Sequence, residues 1–231
     1  KLKEQGFKVT VLENYDSKVE KGIVISQSPA AGTAQLPDST VVIYVSKGKQ
    51  PVTVTYDANM GSVNADNKTV YLMDKYGELP AAERTGYTFN GWYNAKNGGD
   101  KITSETMVST SSNHTLYAQW TANTYVLSFN ANGGSVALTS QNITYGNMYG
   151  ELPVPVRTGY GFKGWYADKT GGTQITGDMT YTVAGNQTLY AQWGNNSYKI
   201  TFNPNGGNVS VTEKEVSYSS NYGDMPTPTR T

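Results

Sequence analysis

The stretch GYTFNGWYNAKNGGDKITSETMVSTSSNHTLYAQW, residues 86–120, returns as GYGFKGWYADKTGGTQITGDMTYTVAGNQTLYAQW at 159–193, with 18 identities in 35 ungapped positions. The register is constant: Trp92 and Trp165, Trp120 and Trp193, Gly77 and Gly150, and Arg84 and Arg157 are each 73 residues apart. A third copy opens with YKITFNPNGG at Tyr198 and keeps Gly223, Pro226 and Arg230 in register, but lacks the half quoted above. This repetition overrides the prior of one or two ordinary domains for 231 residues and predicts several small modules in series. It also bears on function, because a catalytic centre is needed once per unit whereas a structural module is useful in tandem.

Each unit opens with alternation: Val52, Val54, Tyr56; then Tyr125, Leu127, Phe129; then Tyr198, Ile200, Phe202. That period predicts a half-buried strand. It runs into NMGS, NGGS and NGGN, where positive φ is cheap, so a tight hairpin turn is expected. Met60 stands where the other copies have glycine, so Gly61, Gly134 and Gly207 hold the position that needs one. A second strand is expected around Lys68 to Met73 and Gln141 to Tyr145, followed by YGELP, read as a turn or a single helical turn. In GYTFNGWY, strict alternation puts Trp92 opposite Phe89 unless a bulge at Gly91 re-aims it, and a bulge is expected. TLYAQW places Leu116, Ala118 and Trp120 on one face of the closing strand. Four residues, TANT or GNNS, then lead to the next unit, too few for neighbours to swing freely.

A module near 70 residues without disulfide or metal needs its large aromatics to bury enough apolar area. Core packing is therefore the first reading of Trp92 and Trp165, and ligand stacking by these two rings, as in a carbohydrate-binding module, is the alternative. Absent cysteine removes disulfides, thiolate metal sites and cysteine nucleophiles together. The 18 Lys and Arg balance 18 Asp and Glu, so no overall field attracts nucleic acid or an anionic membrane. No run of eighteen or more apolar residues is present to insert into a membrane. His114, the single histidine, aligns with Gln187, which excludes a repeated metal site or histidine base, and it reads as a surface loop residue. Glu78, Glu151 and Asp224 recur without a second recurring acid, so a cap or turn acceptor is expected rather than a catalytic pair. Gly98-Gly99 and Gly171-Gly172 lack the lysine and the strand-to-helix setting of a phosphate loop. No catalytic residue, cofactor or metal site is expected.

The set NGG, YGELP, RTGYxFxGWY, GG and TLYAQW over residues 51–231 resembles the Listeria-Bacteroides repeat, the internalin B-repeat. That resemblance implies β-grasp-like, SUMO-related units with little helix in a bacterial surface protein, and it carries no catalytic residues. Residues 1–48, with SQSPAAGT followed by VVIYVSKG, resemble a PASTA module, which implies an association with peptidoglycan. The PASTA pattern has a first strand and most of a helix upstream, of which KLKEQGF is what remains here, so the sheet is expected to expose its apolar face. The expected parse is a mainly β (α+β) chain: a truncated PASTA-like α/β module at 1–48, repeats at 51–120 and 125–193, and the first half of a repeat at 198–231. The chain reads as a segment of a longer extracellular protein, with surface glycan and a host or partner protein as expected contacts. Another GYxFxGWY half is expected to follow Thr231, and residues 198–231 are expected to be protease-sensitive without it.

Overall fold

The computed structural model describes residues 1–230, and its regular secondary structure is almost entirely strand. By internal contacts it divides into Lys1–Thr121 and Ala122–Thr231. In the first unit, a 3-10 turn at Lys3–Gln5 ends at Gly6, whose left-handed φ of 84° suits a residue without Cβ. Strands β1 (Lys8–Asn14), β2 (Val24–Ser28) and β3 (Thr40–Ser46) form a sheet of order β1-β3-β2, with β1 parallel and β2 antiparallel to β3. Val11, Leu12, Ile23, Val24 and Leu36 are exposed, as expected of a sheet without a full covering helix. Buried Ser46 ties the module together: its hydroxyl donates to the Val19 carbonyl at 2.6 Å and accepts from the Gly48 N–H at 2.9 Å.

The same unit continues with β4 (Pro51–Asp57), β5 (Ser62–Val63), β6 (Asn67–Tyr71), β7 (Ala82–Glu83), β8 (Tyr87–Tyr93), β9 (Lys101–Ile102) and β10 (His114–Ala122). Five of them make one sheet in the order β6-β4-β10-β8-β9. The first and last long strands, β4 and β10, are parallel neighbours at its centre, with Leu116 opposite Tyr56. The second unit repeats the plan with β11 (Thr124–Asn130), β12 (Ser140–Thr144), β13 (Tyr160–Tyr166), β14 (Gln174–Ile175) and β15 (Gln187–Asn195), in the order β12-β11-β15-β13-β14. This mixed order, with a parallel first–last pair, is the β-grasp arrangement expected.

Where such a sheet would be crossed by a helix, the YGELP segment crosses without one, because glycine and proline interrupt it. Tyr76 and Tyr149, 5% and 6% exposed, plug the core instead. A tight hairpin after the first strand is not formed. The NMGS and NGGS turns lead outward, so β5 pairs with β7 (Ser62 with Glu83), Ser135 bridges Val156, and the antiparallel partners β6 and β12 come only later. The glycine prediction holds for a different reason. Positive φ falls on Met60, Gly133 and Gly206, at 72°, 91° and 83°. Gly61 and Gly134 are needed for space: a Cβ there would lie 2.5 Å and 2.7 Å from the rings of Trp120 and Trp193, and as close to a facing carbonyl.

The bulge is present. Pairing of β13 with β15 shifts between Phe162 and Gly164, where φ reaches 143°, so Phe162 and Trp165 both face the core. Gly91 has φ 122°, and Phe89 and Trp92 both pack into the first core. Leu116 and Ala118, like Leu189 and Ala191, are fully buried on the closing strand. Val52 and Val108 in the first core stand where Tyr125 and Tyr181 stand in the second; those two rings lie 6.2 Å apart.

The third copy forms β16 (Ser197–Thr201) and β17 (Glu213–Ser217), an antiparallel pair with Ile200 opposite Lys214. No residue of 198–230 is buried. Asn196 alone separates β15 from β16.

Candidate interaction sites

Trp92 and Trp165 lie in the two cores, each 2% exposed. Their Nε1–H groups donate to the carbonyls of Pro80 and Pro153, both at 2.7 Å. Tyr56 and Phe89 lie 4.9 Å and 5.6 Å from the Trp92 ring, and Phe129 and Phe162 lie 5.1 Å and 5.7 Å from Trp165. Burying such a ring removes roughly 200 Å² from water, about 5 kcal/mol at 25 cal/mol/Å² before entropy. This corrects the alternative assigned to these residues: no ring face is left on which a ligand can stack. Trp120 and Trp193 close the modules. Their Nε1–H groups donate to Ala58 and Ala131 carbonyls at 3.0 Å and 2.9 Å, tying the last strand to the first turn.

His114 is not a loop residue. It begins β10, where its Nε2 is 2.7 Å from the Tyr76 hydroxyl and its Nδ1 is 3.0 Å from the Ser112 carbonyl. Gln187 takes the same place in the second repeat, its Oε1 accepting from Tyr149 at 2.7 Å. Burial holds the Tyr76 and Tyr149 phenols above their ordinary value, partly offset at Tyr149 by the bond to Gln187. The recurring acid in YGELP acts through its backbone: Lys68 Nζ donates to the Tyr76 and Glu78 carbonyls at 3.0 Å and 2.8 Å, and Lys214 Nζ donates to the Asp224 carbonyl at 2.9 Å. The glycine-pair loops are held by Gln119 and Gln192, which donate to the Gly98 and Gly171 carbonyls. Among the described residues, no three His, Asp or Glu side chains come together as a metal site.

Two further features lie within single units. Beside the N-terminal sheet a cleft of about 440 Å³ is lined by Glu13, Tyr15, Lys21, Lys47 and Lys49, with Lys47 Nζ 4.6 Å from the Tyr15 ring centre and Lys49 paired to Asp74 at 2.7 Å. In the second unit, the third copy is jointed to repeat 2. The Asn196 N–H donates to the Gly159 carbonyl, the Tyr218 N–H to the Asn196 carbonyl, and Asn195 Nδ2 to the Tyr218 carbonyl. The Tyr218 ring stands 5.5 Å from that of Tyr160 and fills the space a Cβ at Gly159 would take.

The chain is thus a series of small β modules, two of them with closed aromatic cores. Residues 53–119, 125–192 and 198–231 match the Listeria-Bacteroides repeat domain, and the chain belongs to that family. Residues 1–47 match the PASTA domain. Internalin H of Listeria monocytogenes is 40% identical over 174 residues, 72% of this chain and 29% of that protein. A putative Gly-rich membrane protein of Evansella cellulosilytica is 33% identical over 196 residues, covering 85% of this chain and 22% of its own length. A putative membrane protein of the same species is 32% identical over 164 residues, 70% and 24% of the two chains. The chain thus spans about a quarter of the length of the curated relatives it matches. Among the described residues no helix is long and apolar enough to cross a membrane.

Proposed function

We propose that this chain is a non-catalytic segment of a bacterial cell-surface protein, serving as stalk and interaction module outside the cell. The observation that carries this reading is the pair of complete modules in unbroken 73-residue register, each with its own closed core, with Asn123 alone between the last strand of one and the first strand of the next. On this reading residues 1–48 are a partial PASTA module that contacts peptidoglycan, 51–120 and 125–193 are repeats, and 198–231 is the first half of another. The similarity to Internalin H and to two proteins described as membrane proteins supports a surface setting. In the cleft beside the N-terminal sheet, Lys21 and Lys47 are the groups that would meet carboxylates of a wall polymer, with Glu13 in the same wall and Lys49 already paired to Asp74. Neither nucleic acid nor insertion into a membrane enters this reading, and a host or partner protein is the second kind of contact it allows.

Small-angle scattering and sedimentation with purified wall sacculi test the two parts separately. The stalk reading expects an extended particle, and a scattering profile of a compact globule overturns it. The wall reading expects co-sedimentation that Lys21→Ala together with Lys47→Ala reduces. Sacculi that leave the protein in the supernatant remove the PASTA contact without touching the stalk.

A further inference from the structure

The Tyr56 hydroxyl is the one buried side-chain polar atom among the described residues that has no hydrogen-bond partner. A buried donor left unmade is destabilising, and a site that keeps one calls for an explanation. The fold does not supply it, since Phe129 occupies the same position in repeat 2, in the same strand and against the same tryptophan. Tyr56 is also part of the wall of a cleft of about 490 Å³ in repeat 1, a size suited to a small ligand.

The rest of that wall differs between the repeats in the same direction. Asn64, Asn67 and Lys68 line the cleft in repeat 1, and at 73 residues further on stand Ala137, Ser140 and Gln141. Relative to repeat 2, polar and charged side chains are therefore gathered around this cleft in repeat 1, at four positions where repeat 2 has Phe129, Ala137, Ser140 and Gln141. Lys68 is fixed there by the Tyr76 and Glu78 carbonyls, which leaves the ammonium one further proton to donate. Glu78 lines the same cleft, so the facing charges balance. Leu79 and Pro80 add an apolar strip, and the Pro80 carbonyl is held by Trp92 Nε1.

We propose that repeat 1, and not repeat 2, carries a binding site for a neutral saccharide unit in the cleft walled by Tyr56, Asn64, Asn67, Lys68 and Glu78. Amides and a phenol both donate to and accept from sugar hydroxyls, while the Leu79–Pro80 strip meets the C–H face of a ring. An anion would meet Glu78 and a cation would meet Lys68, whereas an uncharged polyol meets neither penalty. This site is separate from the tryptophans, whose faces are closed, and does not depend on where in the cell the protein resides.

The test is a titration of the 231-residue chain with N,N′-diacetylchitobiose and, separately, with maltose, followed by the indole N–H resonances in ¹H–¹⁵N spectra. Trp92 is the reporter, since its Nε1 donates into the cleft wall, and Trp165 is the internal control. The expected result is a saturable shift of Trp92 with at least one of the two sugars and a still Trp165. Tyr56→Phe, the residue repeat 2 already carries, weakens binding about tenfold, the equivalent of one hydrogen bond. Exchange of Asn64, Asn67 and Lys68 for Ala, Ser and Gln abolishes it. The reciprocal set in repeat 2, Phe129→Tyr with Ala137→Asn, Ser140→Asn and Gln141→Lys, makes Trp165 respond. A silent Trp92 with both sugars, an equal shift at Trp165 in the unaltered chain, or an affinity unchanged by Tyr56→Phe and by the exchange overturns the proposal.

Discussion

Repeat 2 and the third copy begin with nearly the same hairpin and end in different physical states. Phe129 and Phe202 occupy equivalent places on equivalent strands, yet Phe129 is 5% exposed within a closed core and Phe202 is half-buried in a hairpin that buries nothing completely. The turn, the bridge from the glycine turn to the residue before the arginine (Ser135 to Val156, Asn208 to Thr229) and the antiparallel pairing form in both. Local sequence thus sets the hairpin and its strap, while stability comes from strands that arrive later in the chain, β13 and β15.

The largest expected effect is at that phenylalanine. Phe129→Ala should cost about 3–5 kcal/mol in urea denaturation, and Phe202→Ala about 1 kcal/mol or less; equal costs would remove the distinction. Limited proteolysis with mass spectrometry comes next: cleavage within 198–230 should precede any cut in 125–193, and equal protection would show that the hairpin is stable by itself. Gly134→Ala should destabilise by roughly 1–3 kcal/mol, because the new Cβ meets both the Val156 carbonyl and the Trp193 ring. Gly207→Ala, which meets the Thr229 carbonyl in a hairpin free to shift, should cost less on the same denaturation scale. Tyr218→Ala should speed cleavage of 198–230 several-fold, matching the ~0.5–1.5 kcal/mol of an aromatic pair, and leave the melting of repeat 2 unchanged. The smallest effect is alkaline. Burial raises the Tyr149 and Tyr181 phenols above their unfolded value of 10.0, so the folded state favours the neutral form. The stability they contribute is intact below pH 10 and falls as pH climbs through the raised values, and Tyr149→Phe should flatten that fall in pH-dependent denaturation.

Much of this architecture was legible from period and register. Alternation locates the opening strands, the closing strand and their buried faces, and the conflict between Phe89 and Trp92 points to the bulge. Three features were hidden because they depend on partners distant in sequence. The need for Gly61 comes from Trp120, across the module, rather than from its own φ. The exit of the glycine turn is set by β7, some twenty residues on, so a hairpin reading of NGG stopped too early. His114 and Gln187 share a hydrogen-bonding task that residue identity conceals, since both bond the hydroxyl of a buried tyrosine. The candidate saccharide cleft was equally invisible: the change from Phe129 to Tyr56 reads as conservative until the hydroxyl is seen to lack a partner.

The parallel pairing of first and last strands governs how a module answers to tension. The chain enters at the start of β4 and leaves at the end of β10, so traction on the two sides slides these neighbours past each other along their length. The same holds for β11 and β15. Inter-strand bonds loaded in this way must yield together, whereas a hairpin such as β16 and β17, pulled at its open end, peels apart one bond at a time. A module so wired resists being drawn out far better than its modest size suggests, and the loose hairpin beside it would give way first.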